Sequence, residues 1–348
     1  NKIFFLIKIR QQYLLDYREF YHTKLEPHKL IHLQSIIEKF KDRPKIFFVS
    51  DSSLDNKKWF DHSTNKQWKF LEPINGYEFI LEKMKGDVAY WINYYLSKPE
   101  SLDITFENQK LKEYVAINTG HEASTISRRI IELEENKENI IHENDKLVQD
   151  SLNENDIIIV SMGGNDIAFT VYKEDGYFHH MNIVRKNIDN IEKDINLDDN
   201  VFKISNQKKY TNSWNKIYEL FIDKTFKIIN YIVQKKKPKL ILVCMIYFFS
   251  HEGESWATEA LEKLGYNSEQ KYQIKKTIKL LYKILDKKII DLEKDIYFPD
   301  TKRCVSVQLS EVLDGNDPDD YFSRVEPSQK GGEKIAKLLV EKIVKNLN

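Results

Sequence analysis

Short apolar runs alternate with longer amphipathic or mixed stretches along most of the chain. The apolar runs fall at 45–49, 114–118, 156–162, 240–247 and 304–309. Such runs are typical of strands that are buried on both faces, and the helical stretches between them indicate crossover connections. The pattern therefore predicts an α/β protein with a three-layer α/β/α, flavodoxin-like fold and a parallel sheet of about five strands.

The clearest helix predicted by the pattern lies at the end of the sequence. Ser328 is its expected N-cap, because a serine side chain can accept a hydrogen bond from the first turn. Ile335, Leu338, Leu339 and Ile343 then recur at helical spacing and form one apolar stripe. We expect this stripe to pack on the sheet.

The domain organisation follows from where the first apolar run begins. Residues 1–43 are predicted as an N-terminal helical arm, and residues 44–348 as one domain with insertions near 53–112 and 168–210. The arm and the first insertion are rich in large apolar side chains, which predicts contacts with a partner chain or a larger assembly. The alternative is that these side chains fold back on the domain itself. The side chains in question are Phe4, Phe5, Tyr13, Tyr17, Phe20, Trp59 and Trp68.

Composition narrows the classes of function. Lys and Arg together number 54, as do Asp and Glu, so the formal net charge is zero and gives no reason to expect nucleic-acid binding. The two cysteines, Cys244 and Cys304, lie in apolar runs and are expected to be buried and reduced, in keeping with an intracellular compartment, cytoplasmic or organellar. The apolar stretch 3–7 is too short to span a bilayer; it is interpreted as part of the arm or as the remnant of a targeting segment. No other stretch approaches transmembrane length.

Candidate chemistry lies where three successive predicted strands end. Ser52 follows the first, Gly120 the second and Asn165 the third. In an open parallel sheet, ligands bind outside the carboxyl ends of the strands, so these residues are expected around one small cavity. A serine hydroxyl can act as a nucleophile, and a glycine N–H and an asparagine amide can stabilise an oxyanion.

The same segments resemble the SGNH, or GDSL-type, hydrolase superfamily. Its first block, Gly-Asp-Ser-Leu-x-Asp-Asn, is similar to Ser-Asp-Ser-Ser-Leu-Asp-Asn at 50–56, and its second, a glycine after a short strand, to 118–124. The third block, Gly-x-Asn-Asp, is Gly-Gly-Asn-Asp at 163–166, and the last, Asp-x-x-His-Pro-Ser, is similar to 323–328. The resemblance implies a serine ester hydrolase with Ser52 as nucleophile and with Gly120 and Asn165 as oxyanion donors.

The sequence departs from the family pattern at three positions. Glu326 stands where the family has its catalytic His, Ser323 where it has the catalytic Asp, and Ser50 where it has the first glycine. A carboxylate with an ordinary pKa of about 4.3 is a weak base for a serine hydroxyl. His121, next to Gly120, is an alternative source of a base.

Two hypotheses of function follow. In the first, the protein keeps the fold but is a weak or inactive esterase, a pseudoenzyme that acts as a structural subunit of a larger assembly with protein partners. In the alternative, it is an active serine esterase or acyl hydrolase on a small ester substrate, with Glu326 or another histidine as base. Neither hypothesis calls for a cofactor. A metal site at 179–180, where two histidines adjoin, would need further ligands that the sequence does not offer.

Overall fold

A computed structural model of the protein describes residues 14–21, 28–56, 69–102, 108–134, 142–266, 271–297 and 303–347. Five strands form one sheet in which every neighbouring pair is parallel. The strands are β1 (Lys45–Ser50), β2 (Val115–Ile117), β3 (Ile157–Ser161), β4 (Leu240–Met245) and β5 (Cys304–Gln308). Their order is β2-β1-β3-β4-β5, which is the doubly wound, flavodoxin-like order. The predicted fold class and all of the predicted strands are confirmed.

The helices before β3 frame the first half of the sheet. They are α1 (Tyr17–Phe20), α2 (Leu30–Lys39), α3 (Val88–Ser97), α4 (Asn108–Leu111), α5 (Ile126–Glu134) and α6 (Glu143–Ser151).

The helices after β3 include those in the second predicted insertion. They are α7 (Gly164–Ala168), α8 (Tyr177–Lys186), α9 (Ile188–Asp194), α10 (Thr211–Tyr218), α11 (Thr225–Ile232), α12 (Thr258–Lys263), α13 (Lys271–Ile296) and α14 (Gln329–Leu347). A π-helical segment, Glu219–Lys224, joins α10 to α11.

Strand side chains alternate between two apolar cores, one on each face of the sheet. In β1, Phe47 and Val49 belong to a core that includes side chains of α2, α10, α11 and α13. Ile46 and Phe48 point the other way, into a core formed with α3 and α14. Because both faces are covered by helices, the strands can be apolar throughout, and this explains the continuous apolar runs in the sequence.

The last helix begins as predicted. Ser328 accepts a hydrogen bond on its Oγ from the N–H of Gly331 at 3.1 Å, which satisfies one of the free donors of the first turn. Ile335, Leu339 and Ile343 of the predicted stripe are fully buried, and Leu338 is buried as well. The stripe packs on the sheet and against α3.

The described part of the N-terminal arm packs on the domain. Phe20 at the end of α1 is buried, and the N–H of Leu15 donates to the carbonyl of Ile80 at 2.8 Å. Tyr17 contacts the ring of Phe70 edge-on, with centroids 4.9 Å apart. Tyr17 and Phe20 therefore fold back on the domain itself, as the alternative interpretation expects. Phe4, Phe5, Tyr13, Trp59 and Trp68 lie outside the described residues.

The remaining expectations concern cysteines, membranes and metals. Cys244 and Cys304 are free and buried on neighbouring strands, as expected, and burial raises the pKa of both thiols. In the described ranges, no helix is both long and apolar enough to cross a membrane. The same ranges contain no group of three or more His, Cys, Asp or Glu side chains placed to hold a metal ion.

Candidate active site

Ser52 stands in a tight turn at the carboxyl end of β1. The N–H of Asp51 donates to the carbonyl of Ser161 on β3, which extends the sheet by one residue beyond Ser50. The carbonyl of Asp51 then accepts from the N–H of Leu54, and the chain reverses. This turn holds Ser52 at the sheet edge with only 9 % of its surface exposed.

A small hairpin places Glu326 at the same edge of the sheet as Ser52. The two strands are β6 (Tyr321–Phe322) and β7 (Glu326–Pro327), paired antiparallel. The turn between them places Ser323 at φ 47° and Arg324 at φ 66°, in the left-handed region that non-glycine residues rarely adopt. Strain of this kind costs about 1–3 kcal/mol per residue and is concentrated at functional sites. The hairpin leaves the Glu326 side chain buried.

The Glu326 carboxyl lies beside Ser52 and Trp256, and all three side chains line one cavity. The pKa of Glu326 is raised to about 8, mainly by burial. The interaction with Ser52 lowers this pKa, the nearby carboxyls of Glu122 and Asp51 raise it, and the interaction with Trp256 lowers it. The Oε2 atom of Glu326 is buried without a hydrogen-bond partner in the described part of the chain. The carboxyl is therefore far more basic than an exposed glutamate.

Asn165 follows β3 and is the second residue of the short helix α7. Its Nδ2 donates to the carbonyl of Ser124 at 3.0 Å, which fixes the side chain and leaves it a second N–H. The next residue, Asp166, accepts from the N–H groups of Ile126 at 2.8 Å and Ser127 at 2.9 Å, so it caps the start of α5. Asn165 therefore faces the site, whereas Asp166 fixes the start of α5 next to it.

Gly120 lies in the loop after β2, beside the turn that carries Ser52. Its N–H donates to the side-chain Oδ1 of Asn118 at 3.1 Å. A Cβ at this position would come within 2.5 Å of the Oγ of Ser50 and 2.7 Å of the Cβ of Asp55, so only glycine fits here.

His121 is part of a separate pair of imidazoles. Its ring meets that of His142 edge-on, with centroids 4.5 Å apart. The pKa of His142 is lowered to about 2, mainly by burial and next by the positive charge of Arg129. His142 is therefore neutral, and the pair resembles a packed core contact more than a base beside Ser52.

A cavity of about 90 Å³ opens next to Ser52, and its walls are mostly apolar. Three of the residues predicted from the sequence, Ser52, Asn165 and Glu326, lie together in its lining. Gly120 and His121 are not part of that lining. The other lining residues are Asp51, Ser53, Gly164, Ile167, Ala168, Met181, Phe221, Ile246, Tyr247, Phe249, Trp256, Ala257, Ala260, Leu261, Leu264, Ile274, Ile278 and Val325.

Buried polar contacts fix the positions of the elements around the site. Asn56, the last residue of the first block, donates from Nδ2 to the carbonyl of Pro327, directly after Glu326. Arg129 donates to the carbonyl of Ser50 at 3.1 Å and forms a buried ion pair with Asp145, 3.4 Å apart. Buried charged side chains need such partners, and these hold the end of β1 in place. Sequence reasoning missed Arg129, because two adjacent arginines in an amphipathic helix carry no motif.

Comparison with known proteins adds little beyond the fold. No protein-family profile and no curated protein matches the chain. Similar solved structures include the carbohydrate acetylesterase Est24 from Sinorhizobium meliloti, with 10% identity and a TM-score of 0.41 over 87% of this chain and 99% of that one. The acetyl xylan esterase AlAXEase is 12% identical, with a TM-score of 0.39 over 86% of this chain and 100% of that one.

The likeness to these esterases is too distant to assign an activity. LAE5, an alpha/beta hydrolase enzyme from the metagenome of Lake Arreo, Spain, is similar at 11% identity and a TM-score of 0.40, over 88% of this chain and 96% of that one. The chain resembles the SGNH hydrolases in its motif blocks and in its three-layer fold.

Proposed function

We propose that the protein is a slow serine ester hydrolase in which Glu326 replaces histidine as the general base. One observation carries the proposal: the buried Glu326 carboxyl lines the same cavity as Ser52, and its Oε2 has no hydrogen-bond partner among the described residues. Burial is the main cause that raises its pKa to about 8. A general base works best when its pKa lies near the working pH. The weakness expected from an ordinary carboxylate does not apply to a carboxyl in this environment.

The chemistry needs only these side chains and water. The Oγ of Ser52 attacks the ester carbonyl carbon, and its proton passes to the Glu326 carboxylate while the carbonyl electron pair moves onto oxygen. The amide of Asn165 donates to this oxyanion. Breaking the ester C–O bond releases the alcohol, which takes the proton from Glu326 and leaves an acyl-serine. Water then attacks the acyl-serine, gives a proton to Glu326, and the carboxylic acid departs as Ser52 recovers that proton.

Two features argue for a low rate. Ser323 stands where the family has an aspartate, so no carboxylate at that position orients the base. The N–H of Gly120 is already used by the side chain of Asn118, which weakens its role as an oxyanion donor. Each missing donor costs roughly 3–4 kcal/mol of barrier lowering.

Covalent labelling tests the proposal. A fluorophosphonate probe is added to the protein at pH values from 6 to about 9.5, a window that brackets the raised pKa of Glu326, and intact mass reports the adduct. We expect labelling that Ser52→Ala abolishes, that Glu326→Gln slows at least tenfold, and whose rate rises with pH to a plateau above about 8. Absence of any Ser52-dependent adduct across this range contradicts the proposal.

The second candidate is a catalytically inactive subunit of a larger assembly. Two exposed apolar side chains favour it: Ile31 on α2 is 70% exposed and Phe79 is 68% exposed. Exposed apolar surface is a common mark of contact with another chain. Co-purification of the wild type with a partner that the Ile31→Asp variant loses supports this candidate. Ser52-dependent turnover of a simple ester contradicts this second candidate.

A further inference from the structure

We propose that the cavity beside Ser52 binds an aliphatic acyl group longer than acetyl. This proposal rests on the proposed function and names the substrate class of the same site. The cavity joins two chemically different parts: a polar end with Ser52, Asn165 and Glu326, and a wall of aliphatic and aromatic side chains. An ester lying across both would place its carbonyl at the serine and its hydrocarbon chain against the apolar wall.

The apolar wall comes from elements outside the strands. Met181 of α8, Phe221 of the π-helical segment, Ala260 of α12, and Ile274 and Ile278 of α13 all line the cavity. The π-helical segment adds one residue to a helical turn, a feature that often marks a functional site. A sheet of this kind needs none of these side chains at its edge, so their convergence on Ser52 indicates a pocket for a ligand.

The cavity has an apolar mouth. Trp256 lines the cavity and also contacts Glu326, yet 43% of its surface is exposed. The ring of Phe169, itself 47% exposed, lies 5.7 Å from the Trp256 ring. An exposed aromatic pair beside the cavity favours entry of an apolar group over entry of an ion.

The cavity volume limits the length of the chain. The cavity measures about 90 Å³. About 10–15 Å³ of space measured in this way is the least that holds one water molecule, so the cavity has room for several groups of that size beyond the carbonyl. The favoured acyl group is therefore longer than acetyl. Each buried methylene should tighten binding roughly fourfold until the cavity is filled.

A binding experiment separates this proposal from catalysis. The Ser52→Ala variant is titrated calorimetrically with straight-chain amides from acetamide to octanamide, uncharged carbonyl compounds that need no turnover to report on the pocket. We expect affinity to rise roughly fourfold for each added methylene until the cavity is filled and then to level off. Affinity that does not depend on chain length overturns the acyl proposal, whatever the labelling of Ser52 shows.

A pair of variants on α12 shows where the chain lies. Ala260→Leu fills the cavity and should remove the gain between acetamide and hexanamide. Glu259→Leu adds the same side chain to the neighbouring position, which is exposed, and should leave that gain intact. Thermal melting of both variants checks that they are folded. An unchanged gain in folded Ala260→Leu also contradicts the proposal, because the chain would then lie elsewhere.

Discussion

Two buried acidic regions flank the carboxyl end of β1, and they differ in how their carboxyls are satisfied. One is the Ser52 site, with Ser52, Asn165 and Glu326. The other is the arm cluster, which we define as His28, Asp55, Asp87 and Asn118. Burial raises the pKa of a carboxyl in each region, to about 8 for Glu326 and to about 7 for Asp87.

Both carboxyl oxygens of Asp87 accept hydrogen bonds that stabilise the fold. Its Oδ1 accepts the N–H of Tyr90 at 2.8 Å and so caps α3, and its Oδ2 accepts from Nδ2 of Asn118 at 3.0 Å. Asn118 also donates to Oδ1 of Asp55 at 3.1 Å, and the Nε2 of His28 lies 3.8 Å from the same oxygen.

Glu326, in contrast, keeps its Oε2 buried and without a partner in the described residues, beside an open cavity. A raised pKa alone does not distinguish a catalytic carboxyl from a structural one. An unsatisfied buried oxygen next to a nucleophile and a cavity does. The comparison predicts that changes at the Ser52 site affect reactivity, whereas changes in the arm cluster affect stability.

The largest expected effect is on reactivity, at Glu326. Glu326→Gln removes the base but keeps the shape, so esterase activity should fall about 10²–10⁴-fold, the usual contribution of a general base. Its melting temperature should stay the same or rise, because a neutral amide replaces a buried acid. Kinetics with a short-chain ester and thermal melting check both parts. A variant that melts much lower would mean that Glu326 is structural and the comparison is wrong.

Gly120→Ala should cause the largest loss of stability, about 3 kcal/mol, since both the Ser50 Oγ and the Asp55 Cβ lie too close for a methyl group. Gly332 in α14 offers a matched control. A Cβ at Gly332 would meet its nearest neighbour at an ordinary 3.6 Å, so Gly332→Ala should be neutral or stabilising. Chemical denaturation of both variants measures the difference. Equal stabilities would show that the loop after β2 can move aside.

Asp87→Ala should lower the free energy of unfolding by about 2 kcal/mol, because the cap of α3 is lost and the amide of Asn118 loses an acceptor. The rate at which a fluorophosphonate labels Ser52 should be unchanged in the folded variant. A drop in labelling without a drop in stability would place the arm cluster in the active site.

The sequence predicts the sheet and the polar end of the site well, for a physical reason. Strands buried on both faces leave continuous apolar runs, and residues at their carboxyl ends must meet at one edge. Ser52 and Asn165 could be placed in this way, and the register of Pro327-Ser328 placed Glu326.

The rest of the site could not be predicted in that way. The apolar wall is formed by side chains such as Met181 and Ala260, which have the helical spacing of ordinary core residues. The pKa of Glu326 depends on its burial, which the hairpin at Ser323 and Arg324 produces. The arm cluster joins His28 to Asp55 and Asp87 across long stretches of sequence, and only the folded chain brings them together.

A smaller effect, a gain of about tenfold in activity, is expected from restoring the family's acid–base pair. In the double variant Glu326→His with Ser323→Asp, the imidazole is the more usual base and the aspartate orients it, a contribution typical of such pairs. Aspartate tolerates the positive φ of Ser323 better than most residues do. Glu326→His alone is the matched control and should gain less. If neither variant exceeds the wild type, the oxyanion contacts, and not the base, limit the rate.

The smallest expected effect is a difference in how stability depends on pH. Both carboxyls have raised pKa values, so the folded protein holds their protons at pH values where the unfolded chain releases them. Their contribution to stability is thus complete below the unfolded pKa, 4.5 for Glu326 and 3.8 for Asp87. It is lost as the pH rises towards about 8 and about 7, respectively. In Glu326→Gln, the free energy of unfolding should fall less with rising pH in the upper part of the range, and in Asp87→Asn it should fall less in the lower part. Chemical denaturation between pH 5 and about 8.5 measures both curves. Identical curves for the two variants would show that the two regions titrate as one, and that the distinction between them rests on hydrogen bonding alone.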